Sequence, residues 1–282
     1  MTGSLTIIGS GIQAVRHFTL ESCQVIEQAD KVLYAVPDPI TELYIKKIRP
    51  DAESLSDSYA DGKRRIKTYQ EMKERTLRYV RQGLHVCVIY YGHPGIFVKP
   101  SHESIRQARS EGFEAHMFPG VSAEDCLFAD LGIDPGIHGC QSFDATDFLI
   151  RRCKFDTSSH LILWQIGLIG ELAYTSGKIN KRGLEVLVDF LGKYYDQDHK
   201  MVVYEASVYS ICKPIIQHTS LSKLVQRYVS YGSTLYIPPI AASPQQLNHE
   251  MIERLGLSSE LEPTGLNFSV KKLFHLGSGK RL

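Results

Sequence analysis

Polar and apolar positions alternate along this chain in two rhythms. Short segments closed by turn residues mark strands, and the unbroken apolar run Val86–Tyr90 reads as one buried on both faces. The segments are Leu5–Ile8, Val32–Val36, Val86–Tyr90, Phe113–Phe118, His160–Gln165, Met201–Tyr204 and Ser233–Ile237. Between them lie stretches with helical spacing: about 23–29, 40–48, 65–82, 101–109, 122–131, 183–195, 221–229 and 248–255. The clearest is Arg65–Gln82, where Ile66, Tyr69, Met72, Thr76, Leu77 and Val80 share one face. Its wet side offers Glu71/Arg75 and Glu74/Arg78 as i,i+4 pairs, and Gly83 suits the residue past its end. Ser122 with Asp125 reads as a helix cap.

Strands separated by helices predict α/β layers with largely parallel sheets. The Gly- and Pro-rich stretch 132–139 divides the chain. Residues 1–135 are expected to form an N-terminal α/β domain, 136–258 a C-terminal α/β domain, and 259–282 a loosely held tail. Ligands of such sheets bind past the carboxyl ends of the strands. There the buried run Val86–Tyr90 opens into Tyr91-Gly92-His93-Pro94-Gly95-Ile96. Gly92 and Gly95 let a backbone approach a ligand closely. The first strand ends in Gly9-Ser10-Gly11, but the third glycine of a dinucleotide fingerprint is missing.

Composition narrows the class. At 282 residues, 43% hydrophobic and 22% charged, the chain suits a globular protein of two domains. A net charge of +1 gives no global field for nucleic acid or anionic lipid. Six scattered cysteines with no CxxC pair suit reduced thiols in a cytoplasmic setting. Eleven histidines show no ligand spacing, so no metal is expected. No signal peptide and no membrane-length apolar run is visible.

Four stretches together resemble a known family: Gly-His-Pro-Gly at 92–95, the run Pro119 to Pro135, Leu-Trp-Gln-Ile-Gly at 163–167, and Ser-Thr-Leu-Tyr-Ile-Pro-Pro at 233–239. They look like the tetrapyrrole-methylase-like (class III) methyltransferases. Within these, Pro119–Pro135 and the pair Arg65 and Tyr69 are most similar to the borosin peptide backbone α-N-methyltransferases. The resemblance covers about residues 3–258 and implies a cleft between two α/β domains that holds S-adenosylmethionine and releases S-adenosylhomocysteine. Carried over by position, the cofactor contacts are Tyr91, His93, Ile96, Ser122, Ala123, Gln165, Ala206, Ser233 and Thr234. The catalytic set is Arg65 and Tyr69, with Tyr59 and Tyr91 lining the reacting centre. A homodimer is implied. The residues after the catalytic region hold no Val/Ile/Leu-rich segment of the kind fused members methylate, so the resemblance points to the split variety. In it the precursor peptide is a separate partner, here forming a heterotetramer with the dimer.

The chemistry suits those residues. An amide nitrogen has its lone pair tied up in resonance and becomes nucleophilic only as it loses its proton. A tyrosine with a pKa of about 10 is a poor base unless a guanidinium favours its phenolate. Arg65, one turn before Tyr69, is expected to lower that pKa. Tyr59 or Tyr91 would donate to the carbonyl oxygen. Two other readings compete: a tetrapyrrole C-methyltransferase, which calls for basic residues around a wide mouth, and a non-catalytic cofactor-binding scaffold.

Overall fold

The computed structural model describes residues 2–175, 179–240 and 248–256. In chain order the first half holds β1 (Ser4–Gly9), α1 (Leu20–Gln28), β2 (Lys31–Ala35), α2 (Pro39–Ile48), β3 (Glu53–Ser54), α3 (Arg65–Arg81), β4 (His85–Tyr90), α4 (Lys99–Ser110), β5 (Glu114–Met117) and α5 (Ala123–Leu131). The second holds β6 (Cys140–Asp144), α6 (Ala145–Ile150), β7 (His160–Trp164), α7 (Lys181–Leu191), β8 (Lys200–Glu205), β9 (Ile215–Ser220), β10 (Thr234–Ile237) and α8 (His249–Arg254). Residues up to Pro239 make one compact unit that contains both sheets. A second unit begins at Ile240; its described part is the single helix α8, capped by Asn248. The expected tail, 259–282, lies outside the described residues.

The first sheet runs β3-β2-β4-β1-β5, every pair parallel. Side chains alternate along β4, so its two faces serve two cores. Val86, Val88 and Tyr90 pack with Met72, Leu77 and Val80 of α3. Cys87 and Ile89 pack with Ile26 of α1 and Ile45 of α2 on the other face. From β1 the chain crosses over β4 to reach β2, and from β4 it crosses over β1 to reach β5. Neighbouring strands whose connections leave to opposite sides open a crevice at their carboxyl ends, where α/β sheets bind ligands.

The second sheet runs β6-β7-β10-β8-β9. Here only β6–β7 is parallel, and the other three pairs are antiparallel. Across both sheets five of the eight pairings among the described residues are parallel. The antiparallel pairs follow from connections without a crossover α-helix between β8, β9 and β10. The helix expected over 221–229 is a 3₁₀ segment, Leu221–Gln226. Its buried residues, Leu221 and Leu224, are three apart, which is the 3₁₀ period. Helix α5 leaves the first sheet and packs Leu127 against Trp164, Tyr204 and Tyr236 of the second. Tyr204 Oη donates to Asp130 Oδ2 on the same helix at 2.7 Å.

Neither i,i+4 pair expected on α3 forms. Glu71 bonds Lys63 at 2.5 Å, Glu74 lies 3.2 Å from Arg81, and Arg75 reaches Asp57 at 2.7 Å and Glu53 at 3.2 Å. An exposed helical pair contributes only a few tenths of a kcal/mol, so better-placed partners win: Glu53 and Asp57 for Arg75, Lys63 for Glu71 and Arg81 for Glu74. Glu53 collects Lys31, Tyr79 and Arg75, which together hold its carboxyl at about 2, below its ordinary 4.5. A depressed carboxylate stabilises the fold above its unfolded pKa and loses that contribution as pH falls through the folded value. The stability gap between wild type and Glu53→Gln is therefore expected to be constant above the ordinary 4.5 and to close as pH falls toward about 2. Urea unfolding across that range checks it.

Candidate active site

Backbone packed on backbone builds the crevice. Gly11 and Gly92 exchange hydrogen bonds, 3.2 Å and 3.1 Å, across the ends of β1 and β4. A Cβ on Gly9 would lie 2.1 Å from Gly92 O, and one on Gly120 would lie 2.9 Å from the same atom. The glycines of the incomplete fingerprint thus let the mouths of β1, β4 and the β5–α5 turn touch. Two imidazoles clamp the next turn. His93 Nδ1 accepts the Gly95 N–H at 2.9 Å, and His102 Nε2 lies 2.8 Å from Gly95 O.

A cleft of about 650 Å³ opens beside this turn. It is lined by Arg65 and Tyr69 from the first turns of α3, by Gly95 and Phe97 of the turn, and by Gln165, past β7. A backbone strap secures the start of α3. The Tyr174 N–H donates to Lys63 O at 2.9 Å and the Arg65 N–H to Leu172 O at 3.2 Å. Tyr59 packs against Tyr174 of the same strap, with centroids 5.1 Å apart and the rings tilted by 45°. Tyr59 and Tyr69 both pack, half-buried, on the α3 side of the first sheet.

Electrostatics correct one expectation. Burial pushes the Tyr69 phenol up, and the Arg65 guanidinium pulls it down by less. The net direction is upward, so Tyr69 is a neutral phenol at rest. Burial also pushes Tyr59 up to about 12, with Tyr69 adding to the rise and Arg65 opposing it. The guanidinium acts in the expected sense, but loss of hydration around a half-buried ring outweighs it.

The remaining expected residues divide into groups. Ser122 caps α5 in a full capping box with Asp125: its Oγ accepts the Asp125 N–H at 3.1 Å, and Asp125 Oδ2 accepts the Ser122 N–H at 2.7 Å. Ala123 and Ala206 pack beside Trp164 between α5 and the second sheet. Ser233 Oγ accepts the Ser230 N–H at 2.8 Å, and the Ser233 carbonyl takes the N–H of Ile166, next to Gln165, at 3.1 Å. Thr234 is buried beside it, paired with Tyr204. Ile96 sits in the clamped turn, its N–H bonded to His93 O at 3.1 Å. Tyr91 is half-buried, and its phenol is pushed up by burial, then by Cys126, Asp38 and Glu205. The structure brings Arg65, Tyr69 and Tyr59 together. Tyr91 faces the α2–α5 side instead.

Sequence reasoning missed three residues. Tyr90, not Tyr91, shares the α3 face with Tyr59 and Tyr69, and its buried hydroxyl has no partner. His102 braces the glycine turn. Phe97 is half-exposed, adopts φ +57° and lies 5.8 Å from the Trp164 ring. Gln165 is also left-handed, at φ +58°. Left-handed conformations of bulky residues cost roughly 1–3 kcal/mol and gather where function demands them. Tyrosine spacing could have flagged Tyr90 only with strand parity known; no sequence signal marked the other two. Among the described residues no three His, Cys, Asp or Glu side chains gather as metal ligands. The six cysteines are unpaired, with Cys87 buried and Cys212 exposed.

Comparison with known proteins places these features. Residues 4–209 match the family described as Tetrapyrrole (Corrin/Porphyrin) Methylases. The chain is 48% identical over 241 residues to the methyltransferase/ribosomally synthesized cyclic peptide gymnopeptides precursor of Gymnopus fusipes, covering 84% of this chain and 57% of that one. It is 43% identical to the omphalotin A counterpart of Omphalotus olearius, over 93% of this chain and 63% of that one. The type I borosin precursor of Coprinopsis marcescibilis is 40% identical, with 93% and 68% covered. The chain thus spans about three-fifths of the first two relatives. In fold it is similar to uroporphyrin-III-C-methyltransferase from Thermus thermophilus, with TM-score 0.60 at 17% identity over 84% of this chain and 93% of that one. Cobalt precorrin-4 methyltransferase gives TM-score 0.56 at 19% identity, covering 83% and 94%.

Proposed function

This chain belongs to the tetrapyrrole (corrin/porphyrin) methylase family of methyltransferases, and from that premise we propose that it transfers methyl groups from S-adenosylmethionine to backbone amides of a ribosomal precursor peptide. The observation that carries the reading is the meeting of half-buried Arg65 and Tyr69 with the Gly95–Phe97 turn and Gln165 in one cleft. The relatives named as methyltransferase/peptide precursors supply the substrate class.

Of the nine residues expected around the cofactor only Gln165 lines the cleft of about 650 Å³, so the cleft suits the acceptor, with the cofactor reached past Gln165 and the Gly95 turn. Gly9, Gly11 and Gly92 are buried against one another at the β4 mouth, and their crossing sets the shape of the crevice. When bound, the sulfonium supplies an already activated methyl group. The chain's own residues prepare the acceptor. The resting Tyr69 phenol first gives its proton to solvent; the phenolate, steadied by Arg65, then takes the proton from the amide nitrogen and becomes a phenol again. Tyr59, kept protonated by its raised pKa, donates to the amide oxygen as negative charge moves there. Oxyanion donors of this kind contribute roughly 100- to 1,000-fold in rate. Tyr91 stays on the cofactor side.

One observation favours a tetrapyrrole acceptor as a second reading. Arg64, Lys99 and Arg106 also line the cleft, a wall that polyanionic macrocycles would meet. The rest of the lining counts against it: Asp144, Asp147 and Glu171 line the cleft too, and Phe97, Ile150 and Leu172 are large exposed apolar side chains there. An apolar peptide suits that mixture better than a ring of carboxylates. The homodimer, and a precursor on a separate chain, belong to the same proposal.

Mass spectrometry decides between the readings. The protein is incubated with S-adenosylmethionine and either an apolar precursor peptide or a uroporphyrinogen. Methyl-sized mass steps that fragmentation places on backbone nitrogens are expected with the peptide. Methylated macrocycle with unchanged peptide would reverse the order of the two readings, and cofactor binding with neither product would leave a scaffold.

A further inference from the structure

The geometry points to His102 as a positioning residue for methyl transfer, a role that rests on the function proposed above. His102 stands in the first turns of α4, exposed, and lines the cleft. Its Nε2 lies 2.8 Å from Gly95 O, seven residues back. A carbonyl oxygen only accepts, so Nε2 carries a proton and donates it. On the other side of the same residue the Gly95 N–H donates to His93 Nδ1 at 2.9 Å, which makes that nitrogen an unprotonated acceptor. Both main-chain groups of Gly95 are thus held by imidazoles, and neither bonds main chain among the described residues. Gly95 has no room for a side chain of its own: a Cβ there would lie 2.9 Å from Met117 Sδ and 3.1 Å from His93 Cε1.

The turn held in this way divides cofactor from acceptor. His93 and Ile96, expected to meet the cofactor, belong to it, and so do Gly95 and Phe97, which line the acceptor cleft. Phe97 keeps φ +57° while 48% exposed. A left-handed phenylalanine persists only where its surroundings over-determine it. The start of α4 gives no such hold, since Val98 caps it without a side-chain bond. His102 supplies the missing tie between helix and turn. In-line transfer needs the amide nitrogen roughly 3–3.5 Å from the methyl carbon, and a misplacement of about 1 Å can cost on the order of 100-fold. Releasing Gly95 from the cleft side frees the partition to shift while every group that does chemistry stays in the protein.

The test compares variants at this position. His102→Ala removes the donor. His102→Asn keeps an amide whose nitrogen falls short of Gly95 O, and His102→Gln keeps one at the reach of Nε2. Single-turnover methylation of an apolar peptide is expected to slow about 10- to 100-fold in His102→Ala and His102→Asn, with smaller losses in binding of peptide and S-adenosylhomocysteine. His102→Gln is expected to stay within about threefold of wild type, the low end of one hydrogen bond's worth. Trp164, the one tryptophan of the chain, gives a readout that needs no substrate. It is 6% exposed, and its ring lies 5.8 Å from that of Phe97. Acrylamide quenching of its fluorescence should rise in His102→Ala and His102→Asn and stay at the wild-type level in His102→Gln. Wild-type rates in both donor-less variants, or unchanged quenching in both, would overturn the role. A His102→Gln protein as slow as His102→Ala would point to imidazole chemistry in place of positioning and would overturn it too. His102→Asn carries the comparison if His102→Ala does not fold. If wild type methylates no peptide, the proposed function falls and takes this role with it; the substrate-free quenching tells that result from a brace that never held.

Discussion

Tyr69→Phe is expected to bind S-adenosylhomocysteine as wild type does and to lose methyl transfer by roughly 100- to 10,000-fold, the span of a positioned general base. The side chain loses one oxygen and keeps its half-buried ring against the α3 face, so folding should survive. The pH dependence is the sharper signature. Because burial raises the Tyr69 pKa in spite of Arg65, the phenolate is a minor species at neutral pH. Its population rises about tenfold for each pH unit below that pKa, and the single-turnover rate should rise with it. Arg65→Ala removes the downward pull, so the rise should shift to higher pH. A rate that ignores pH in wild type, or full activity in Tyr69→Phe, would remove Tyr69 from the mechanism and leave the family assignment standing.

The second large effect concerns the crevice itself. Gly9→Ala is expected to destabilise the fold by about 3 kcal/mol or more, the upper end for overpacking. The added methyl would sit 2.1 Å from a backbone oxygen, Gly92 O, and 2.9 Å from Pro94 Cδ. A carbonyl held in a strand-end bridge cannot swing aside as a flexible side chain can. The melting temperature should fall by roughly 6–12 °C. Gly62→Ala is the control. Gly62 has φ +74° but open space around it, so only the backbone preference is lost, about 1–2 kcal/mol. Equal losses in the two variants would mean that the crossing of β1 and β4 relaxes readily and does not hold the crevice in shape.

Much of the molecule was legible in the residues. The interior strands read clearly because both their faces are buried, so Val86–Tyr90 and Leu161–Trp164 are unbroken apolar runs. The edge strands β6 and β9 did not read, since Cys-Gln-Ser-Phe-Asp and Ile-Ile-Gln-His-Thr-Ser are only partly covered and lack that run. The cap at Ser122 was visible because capping is a local hydrogen bond between residues three apart. Arg65 and Tyr69 were visible as neighbours on one helix face. The loss of water around Tyr69 was not, because it depends on the sheet and on the strap from residues 172–174.

The sequence by itself determined the layered α/β class, the extent of α3, the glycine-lined mouth of β4 and the pairing of a guanidinium with a phenol one turn away. These are short-range facts, set by period, propensity and neighbours within a few residues. Tertiary structure alone decided that Tyr90 and not Tyr91 joins Tyr59 on the α3 face, and that burial outweighs Arg65 at Tyr69. Each depends on which face of a strand is covered and how much water is removed, and both are set by elements distant in the chain.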